Sequence, residues 1–544
     1  MHLRSVHTDR VGKRWIADAQ AVVPILSLLG FAALNAHAQV DATTSSALAS
    51  TPSPTAPASD NAGQNSLAVR GFSISTSVSV SETATDNATL SSGKRSDFIT
   101  QVTPAISIRS NAGRVQGFVK YSLSALHYAR GTGSSTIQHA LDSAIKAEAI
   151  DNFAFVDASA SVSRQNISPL GTQSPDSSLR TDNQTEVSTV SVSPYLRGRL
   201  AGFAAYEARL NYAITRTGID SIGNSKSGGG SLHLGSDQGQ SRLGWSLDGY
   251  SQTLDFNEGR RTETRRGVAT LIHTPVPDIR VSLRGGREYN NILSTELQGS
   301  TTYGGGLRWT PSERTNVSAQ FDRRYFGNAH SVTFEHRTPQ TVWAYVNSRD
   351  ASSDPTAASR APLFTQFDLI YLQLTSKYPD PLERARQTLI QLQTLGVNPF
   401  AVAPSGFLTS AVSLRRNQSV SFGYLGLRTT LVVSAQQSDT QRLDELSSAT
   451  DSLFNNNAIR QRGLSLGASH RMTPITTVSL NVGLTRNTNL VSGSKVALLS
   501  FTGGYGEQIG ARTFVSLAAR RSISGGDASS YNESALTATL TMQF

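Results

Sequence analysis

The last eleven residues, Ser534 to Phe544, sort into two chemistries by alternation. Leu536, Ala538, Leu540, Met542 and Phe544 fall on one side, and Thr537, Thr539, Thr541 and Gln543 on the other. Side chains of an extended strand point to opposite faces with period two, so the segment predicts a strand with one apolar wall and one wet wall. The closing strand of a soluble sandwich would alternate in the same way. The aromatic carboxy-terminal residue favours lipid: Leu540, Met542 and Phe544 look like the signal read by the bacterial outer-membrane assembly machinery.

The amino-terminal end agrees with export. Arg4, Arg10, Lys13 and Arg14 precede an apolar run from Ala21 to Leu34, and Ala36-His37-Ala38 is a small-x-small cleavage site before Gln39. Residues 1–38 are therefore expected to be a secretory signal peptide. The run is shorter than the roughly 20 residues that a membrane-crossing helix needs, and no later segment comes close. Cleavage would remove four basic and two acidic side chains and lower the formal net charge from +10 to +8. With no cysteine in the chain, a disulfide scaffold and a thiolate metal site are excluded, and no cofactor is expected.

A soluble chain of 544 residues would be expected to divide into several cores. Here a Ser/Thr/Pro/Ala-rich stretch from Gln39 to Ser66, too poor in apolar surface to fold and read as a periplasmic leader, gives way to a single texture over residues 67–544. Alternating stretches of about ten residues are divided by turns, as the wall of a barrel requires. Tyr206, Ala208, Leu210, Tyr212 and Ile214 oppose Glu207, Arg209 and Asn211; Ile279, Val281 and Leu283 oppose Arg280, Ser282, Arg284 and Glu288. Val317, Ala319 and Phe321 oppose Asn316, Gln320, Asp322 and Arg324, and Val478, Leu480, Val482 and Leu484 oppose Thr477, Ser479 and Asn481.

A charge on the lipid side near the midplane costs about 2 to 4 kcal/mol. Arg209, Arg280, Arg284, Arg308, Arg324 and Arg428, with Glu207, Glu288 and Asp322, are therefore expected to face a polar lumen or to lie at its rims. Of the 49 basic residues 42 are Arg. An excess of guanidinium on this face would favour anions, whereas rows of Arg and carboxylate would also serve simply to brace a wide wall.

Tight turns are expected at Asn111-Ala112-Gly113, Asp151-Asn152, Gly198 to Leu200, Asp237-Gln238-Gly239, Pro275 to Asp278, Pro311 to Glu313, Thr338-Pro339, Leu425-Gly426, Thr473-Pro474 and Glu507 to Gly510. Longer polar connections lie between them, for example Arg164 to Thr185, Thr217 to Ser227 and Ser438 to Asn457. The alternation of short and long connections predicts an antiparallel outer-membrane β-barrel of about 22 strands (range about 18 to 24), with both termini in the periplasm. Trp245, Trp309 and Trp343, with Tyr195, Tyr206, Tyr303 and Tyr325, are candidates for interfacial aromatic girdles.

One element breaks the pattern. Asp380 as cap, Pro381 at the first helical position, Glu383 two residues later, apolar Leu382, Ala385, Leu389 and Leu392, then Gly396 and Pro399, predict an amphipathic helix over 380–395. It sits in the longest connection, about Ala351 to Ala411. It would either pack outside the mouth or fold inward as a constriction, with Arg384, Arg386, Gln387 and Gln391 meeting polar wall residues.

Several of these stretches carry a family likeness: Thr85-Asp86-Asn87-Ala88-Thr89-Leu90, Ser96 to Ile108, Arg324-Tyr325-Phe326-Gly327, His336-Arg337-Thr338-Pro339 and Tyr378-Pro379-Asp380-Pro381. From about Ser66 to Phe544 the chain resembles the PEP-CTERM system-associated outer-membrane β-barrel proteins, part of a wider β-barrel porin group. The resemblance implies a barrel without known catalytic residues, associated with exosortase and exopolysaccharide systems. It makes outer-membrane lipid and lipopolysaccharide, the assembly machinery and anionic polysaccharide or its export components the expected partners.

The leading reading is a non-enzymatic, porin-like or gated conduit, and the alternative is an adhesin or scaffold barrel whose loops bind matrix polysaccharide. His127, His233, His273, His330, His336 and His470 are scattered singly, without the partners of a hydrolase. Gly228-Gly229-Gly230 and Gly304-Gly305-Gly306 lack a phosphate loop's context and are expected to relieve crowding. The leader is too short for the plug of a TonB-dependent transporter. Arg spread through alternating strands, without clustered stacking aromatics, argues against nucleic acid.

Overall fold

The computed structural model describes residues 71–544 apart from 201–202, 220–221, 237–241, 357–365, 375–377, 379–383, 385–386, 389–405, 449–450, 454–457 and 528–529. The expected signal peptide and leader lie outside the described residues. The first eleven strands are β1 (Phe72–Thr85), β2 (Asp97–Ala112), β3 (Val115–Tyr128), β4 (Thr136–Ile150), β5 (Ala154–Asn166), β6 (Gln184–Leu200), β7 (Ala204–Thr217), β8 (Ser225–Ser236), β9 (Leu243–Phe256), β10 (Thr262–Val276) and β11 (Ile279–Asn290). They continue as β12 (Gln298–Ser312), β13 (Thr315–Arg324), β14 (Gly327–Arg337), β15 (Thr341–Ser352), β16 (Ser413–Leu425), β17 (Thr429–Arg442), β18 (Ala458–Arg471), β19 (Thr476–Asn489), β20 (Lys495–Gly510), β21 (Thr513–Gly526) and β22 (Tyr531–Gln543). A helix, α1 (Gln366–Gln373), lies in the connection after β15.

Each strand pairs antiparallel with the next, and the 22-stranded sheet closes where β1 meets β22, from Ser77 opposite Gln543 to Thr85 opposite Ala535. The Phe544 N–H extends this seam by donating to Thr76 O at 2.8 Å. The protein is thus the closed transmembrane barrel that the alternation predicts. At about 4.8 Å per strand and a tilt of about 40°, 22 strands enclose a ring about 40 Å across.

Asp237-Gln238-Gly239 lies outside the described residues; the other nine expected tight turns fall at or beside strand junctions at one end of the barrel, and the long connections emerge at the other. Two were placed slightly early: Gly198 to Leu200 belongs to β6, and Glu507 to Gly510 to β20. Gly198, and Gly506 just before the second stretch, lie against rings of the neighbouring strand. A Cβ at Gly198 would lie 2.8 Å from Tyr206 Oη, and one at Gly506 would lie 2.6 Å from the Phe514 ring. At the other end, the connection between β13 and β14 is only residues 325–326.

The outward face carries the apolar residues of each strand. Leu210 and Leu283 are each 64% exposed and Phe321 58%, and large apolar area of this kind belongs in hydrocarbon. Trp245, Trp309 and Trp343 all share this outward phase near the tight-turn end, where they form part of one interfacial belt. Tyr206 is outward as well, and Tyr303 is outward but near mid-strand. Tyr195 and Tyr325 are not girdle residues: Tyr195 is buried on the lumen face beside Phe155, and Tyr325 packs inside the mouth against the cluster of Leu254, Phe256, Ile292 and Val412. Tyr195 falls in the inward phase of β6, and Tyr325 belongs to the two-residue turn after β13, where alternation no longer fixes its direction.

Candidate conduit and its closure

Period two places the charged residues of neighbouring strands on one lumenal surface, and register decides which of them meet. Arg209 on β7 joins Glu207 at 3.0 Å and Asp157 of β5 at 2.8 Å, and its guanidinium lies 3.9 Å from the centre of the Tyr195 ring. Arg324 on β13 grips Glu288 of β11 through two nitrogens at 2.6 and 3.2 Å and reaches Asp350 of β15 at 2.5 Å. Glu288 has no exposed surface. Arg284 on β11 reaches Asp322 on β13 at 3.4 Å, passing over Gly304 of β12, which stands opposite both residues. A Cβ at Gly304 would lie 2.2 Å from Asp322 Oδ1, so this glycine leaves the room in which the pair forms.

Two of the expected lumenal arginines are not neutralised. Arg280 and Arg308 stand directly opposite each other on β11 and β12, and neither has a carboxylate within ion-pair distance among the described residues. Arg428 is not on a strand. It occupies an exposed corner of the turn closed by the Gly426 N–H to Thr429 O bond, and its carbonyl accepts from the Arg471 N–H. Asp157 and Asp350, which complete the pairs of Arg209 and Arg324, were not distinguished in the sequence, because their partners sit two strands away.

At the long-connection end, loops fold over the lumen. Residues 167–183, between β5 and β6, carry fully buried Leu179 into a cluster with Leu90, Ile99, Leu126, Tyr128 and Tyr531. Tyr128 and Tyr531 donate their hydroxyls to Ser178 O and Gln173 O at 2.9 and 2.5 Å, and Asn487 Nδ2 donates to Pro169 O at 2.6 Å. Arg520 of β21 binds Asp176 while also holding Glu533 at 2.9 Å. The loop is thereby fastened to β3, β19, β21 and β22.

The connection from 353 to 412 goes deeper. It leaves β15 at the mouth, yet α1 lies against β15 and β16 near the tight-turn end. There Arg337 Nη1 donates to Leu372 O and Gln373 Nε2 to Pro339 O, both at 3.2 Å. Leu372 packs on Val342, Ala344 and Val432, whose inward phase contrasts with outward Trp343. The chain then returns to the mouth. Phe407 is buried with Leu453 and Ile459, Thr409 and Ser410 bond to Asp451 at 2.8 and 2.6 Å, and the Gly223 N–H donates to Ser410 Oγ at 2.8 Å.

Of the amphipathic helix expected over 380–395, Arg384, Gln387 and Thr388 are helical, with Thr388 Oγ1 bonded to Arg384 O at 2.8 Å. The Arg384 guanidinium lies 4.8 Å from the Tyr371 ring centre, and its Nε donates to Tyr378 O at 2.9 Å. Asp380, Pro381, Glu383, Arg386 and Gln391 lie outside the described residues. The terminal-strand residues Leu540, Met542 and Phe544 are outward and at least 36% exposed.

His233 and Asp248 pair in the lumen at 2.6 Å, and Ser246 donates to the same carboxylate at 2.9 Å. The serine is thus bonded to the acid and not to the imidazole, which is not the relay of a nucleophilic serine. Among the described residues no group of three or more His, Asp or Glu is arranged to hold a metal.

No protein-family profile matches the chain, and no curated protein matches it in sequence. Solved structures match it at low identity. The siderophore receptor PirA from Pseudomonas aeruginosa is 9% identical over 87% of this chain and 80% of that one, with a TM-score of 0.37. The ferric-catecholate import receptor Fiu from E. coli K12, in its open form, is 7% identical over 86% of this chain and 81% of that one, with a TM-score of 0.45. OccAB2 of Acinetobacter baumannii is 10% identical over 87% of this chain and 98% of that one, with a TM-score of 0.29. The barrel assignment rests on this chain's own closed ladder.

Proposed function

We propose that the protein is a non-enzymatic conduit of the outer membrane, with both termini in the periplasm, held closed from within by its own loops. The observation that carries this reading is the course of residues 353–412 from the mouth to the far end of the lumen and back. A ring about 40 Å across leaves a wide lumen unless something fills it. The described parts of this connection, α1 and its flanks, supply filling from the barrel's own chain. Its attachments among the described residues are hydrogen bonds and small apolar clusters, which can open at far lower cost than the barrel ladder. The passenger we propose is an anionic polymer such as an acidic polysaccharide, in keeping with the exopolysaccharide association that the family likeness implies.

The test is single-channel conductance in planar bilayers, comparing the intact protein with a variant in which 357–405 is replaced by a short Gly/Ser linker. The conduit reading expects low or flickering conductance from the intact protein and a several-fold rise in the variant, with the heat-modifiable barrel retained. A correctly folded variant that stays sealed would reject it and leave the adhesin or scaffold barrel.

A further inference from the structure

We propose that the outward face of β15 to β19, at the long-connection end, is a binding site for a glycolipid bearing two phosphate groups, of the lipid A type. The patch is defined by register. Arg349 stands opposite Arg416, Arg416 opposite Asp439, and Asp439 opposite Arg460; one row further along, Arg462 stands directly opposite Arg486. Like charges directly opposite on one face of a sheet repel each other, and here the arrangement occurs twice within five neighbouring strands. Five guanidinium groups share a single carboxylate, and Arg460 holds that one at 2.7 Å. Arg416 and Arg486 are exposed, and neither has a hydrogen-bond acceptor or ion-pair partner among the described residues.

Depth identifies the class of ligand. On the same outward faces, two or four residues further along each strand, lie Val420, Leu464 and Leu484, between 41% and 50% exposed. At about 3.4 Å per residue, the guanidinium groups sit about 7 to 14 Å beyond the last large apolar side chain, at the level of lipid headgroups. At the other end the same wall finishes in Trp343 and Phe422, with ring centres 4.5 Å apart, so one leaflet meets aromatic rings and the other meets arginines. Guanidinium binds phosphate bidentately. Arg416 and Arg486 are three strands apart, about 15 Å. A headgroup with one phosphate reaches one of them, whereas a sugar headgroup phosphorylated at both ends can bridge the patch.

This inference rests on the outer-membrane placement but not on transport, and binding in detergent needs no conducting pore. The experiment titrates the purified full chain in micelles with bisphosphorylated lipid A, fully dephosphorylated lipid A or phosphatidylglycerol, and counts bound lipids by native mass spectrometry. Bisphosphorylated lipid should bind at least tenfold more tightly than the other two. Arg416→Gln/Arg486→Gln should weaken it about tenfold, while the charge-matched lumenal double variant Arg280→Gln/Arg308→Gln should leave it unchanged. Equal affinity for the dephosphorylated lipid or for phosphatidylglycerol would overturn the assignment, as would an equal loss in the lumenal variant. The lipid comparison on unaltered protein stands even if a variant fails to fold.

Discussion

Arg324 shows why a charge in this lumen is part of the wall. Its guanidinium completes a fully buried Glu288 and also reaches Asp350. Removing one partner of a buried pair strands the other charge, at a cost of about 3 to 5 kcal/mol. Arg324→Leu should therefore lower the urea midpoint of unfolding in detergent, and Glu288→Leu added to it should recover much of the loss. No recovery would mean that Asp350, and not Glu288, is the group Arg324 compensates. Asp176 is a second case, in a loop. Burial raises its carboxyl, but Arg520 and the Ser178 N–H outweigh this and hold it below its ordinary value. A depressed group contributes stability that is present above its unfolded pKa of about 3.9 and is lost as pH falls through the lower folded value. Loop 167–183 should thus stay docked at neutral pH and loosen only below about pH 4, as read by hydrogen exchange, and Asp176→Asn should remove that acid step. Which side of the wall these residues occupy was legible from period two. Which partners they take was not, since Arg324 and Glu288 meet across an intervening strand.

Elements differ in how far their own sequence describes them. β22 is described by its own residues: its alternation, its outward Leu540 and Met542 and its terminal Phe544 are all local, and it pairs with β1 at the seam. Deleting Phe544 should reduce the yield of heat-modifiable barrel while cleavage after Ala38 proceeds normally. A normal barrel yield would remove Phe544 from the assembly signal. α1 is the opposite case. Its sequence, QFDLIYLQ, has no basic residue in its last turn, and its apolar residues are only weakly segregated to one face. Such a segment reads equally well as a strand. The helical state belongs to its place against Val342, Ala344 and Val432 in the lumen. The better-signalled segment after Asp380 advertised itself because its caps and spacing are local features.

At the scale of the molecule, the lumenal charges that the proposed conduit would present to an ion are those that ring closure leaves unneutralised. Arg209, Arg284 and Arg324 are engaged by carboxylates, so the bracing role expected of such rows describes them well. Arg280 and Arg308 face each other instead. In the loop-deleted, conducting form, Arg280→Gln/Arg308→Gln should lower chloride preference over potassium, measured as a shift in reversal potential across a salt gradient. An unchanged reversal potential would place selectivity elsewhere, and potassium preference before the substitution would sink the anion reading altogether.

The sequence by itself determined the strands, their phase, their number and the end at which the tight turns lie. Each of these depends on residues within about ten positions of one another, and a barrel wall is a chain of such local hairpins. Tertiary structure alone decided that Gly304 clears a path for Arg284 to Asp322, that Tyr325 turns into the mouth, and that the connection after β15 runs to the opposite end of the lumen. Those outcomes depend on which strands lie two apart in register and which lie across the ring, and both are set only when β1 meets β22.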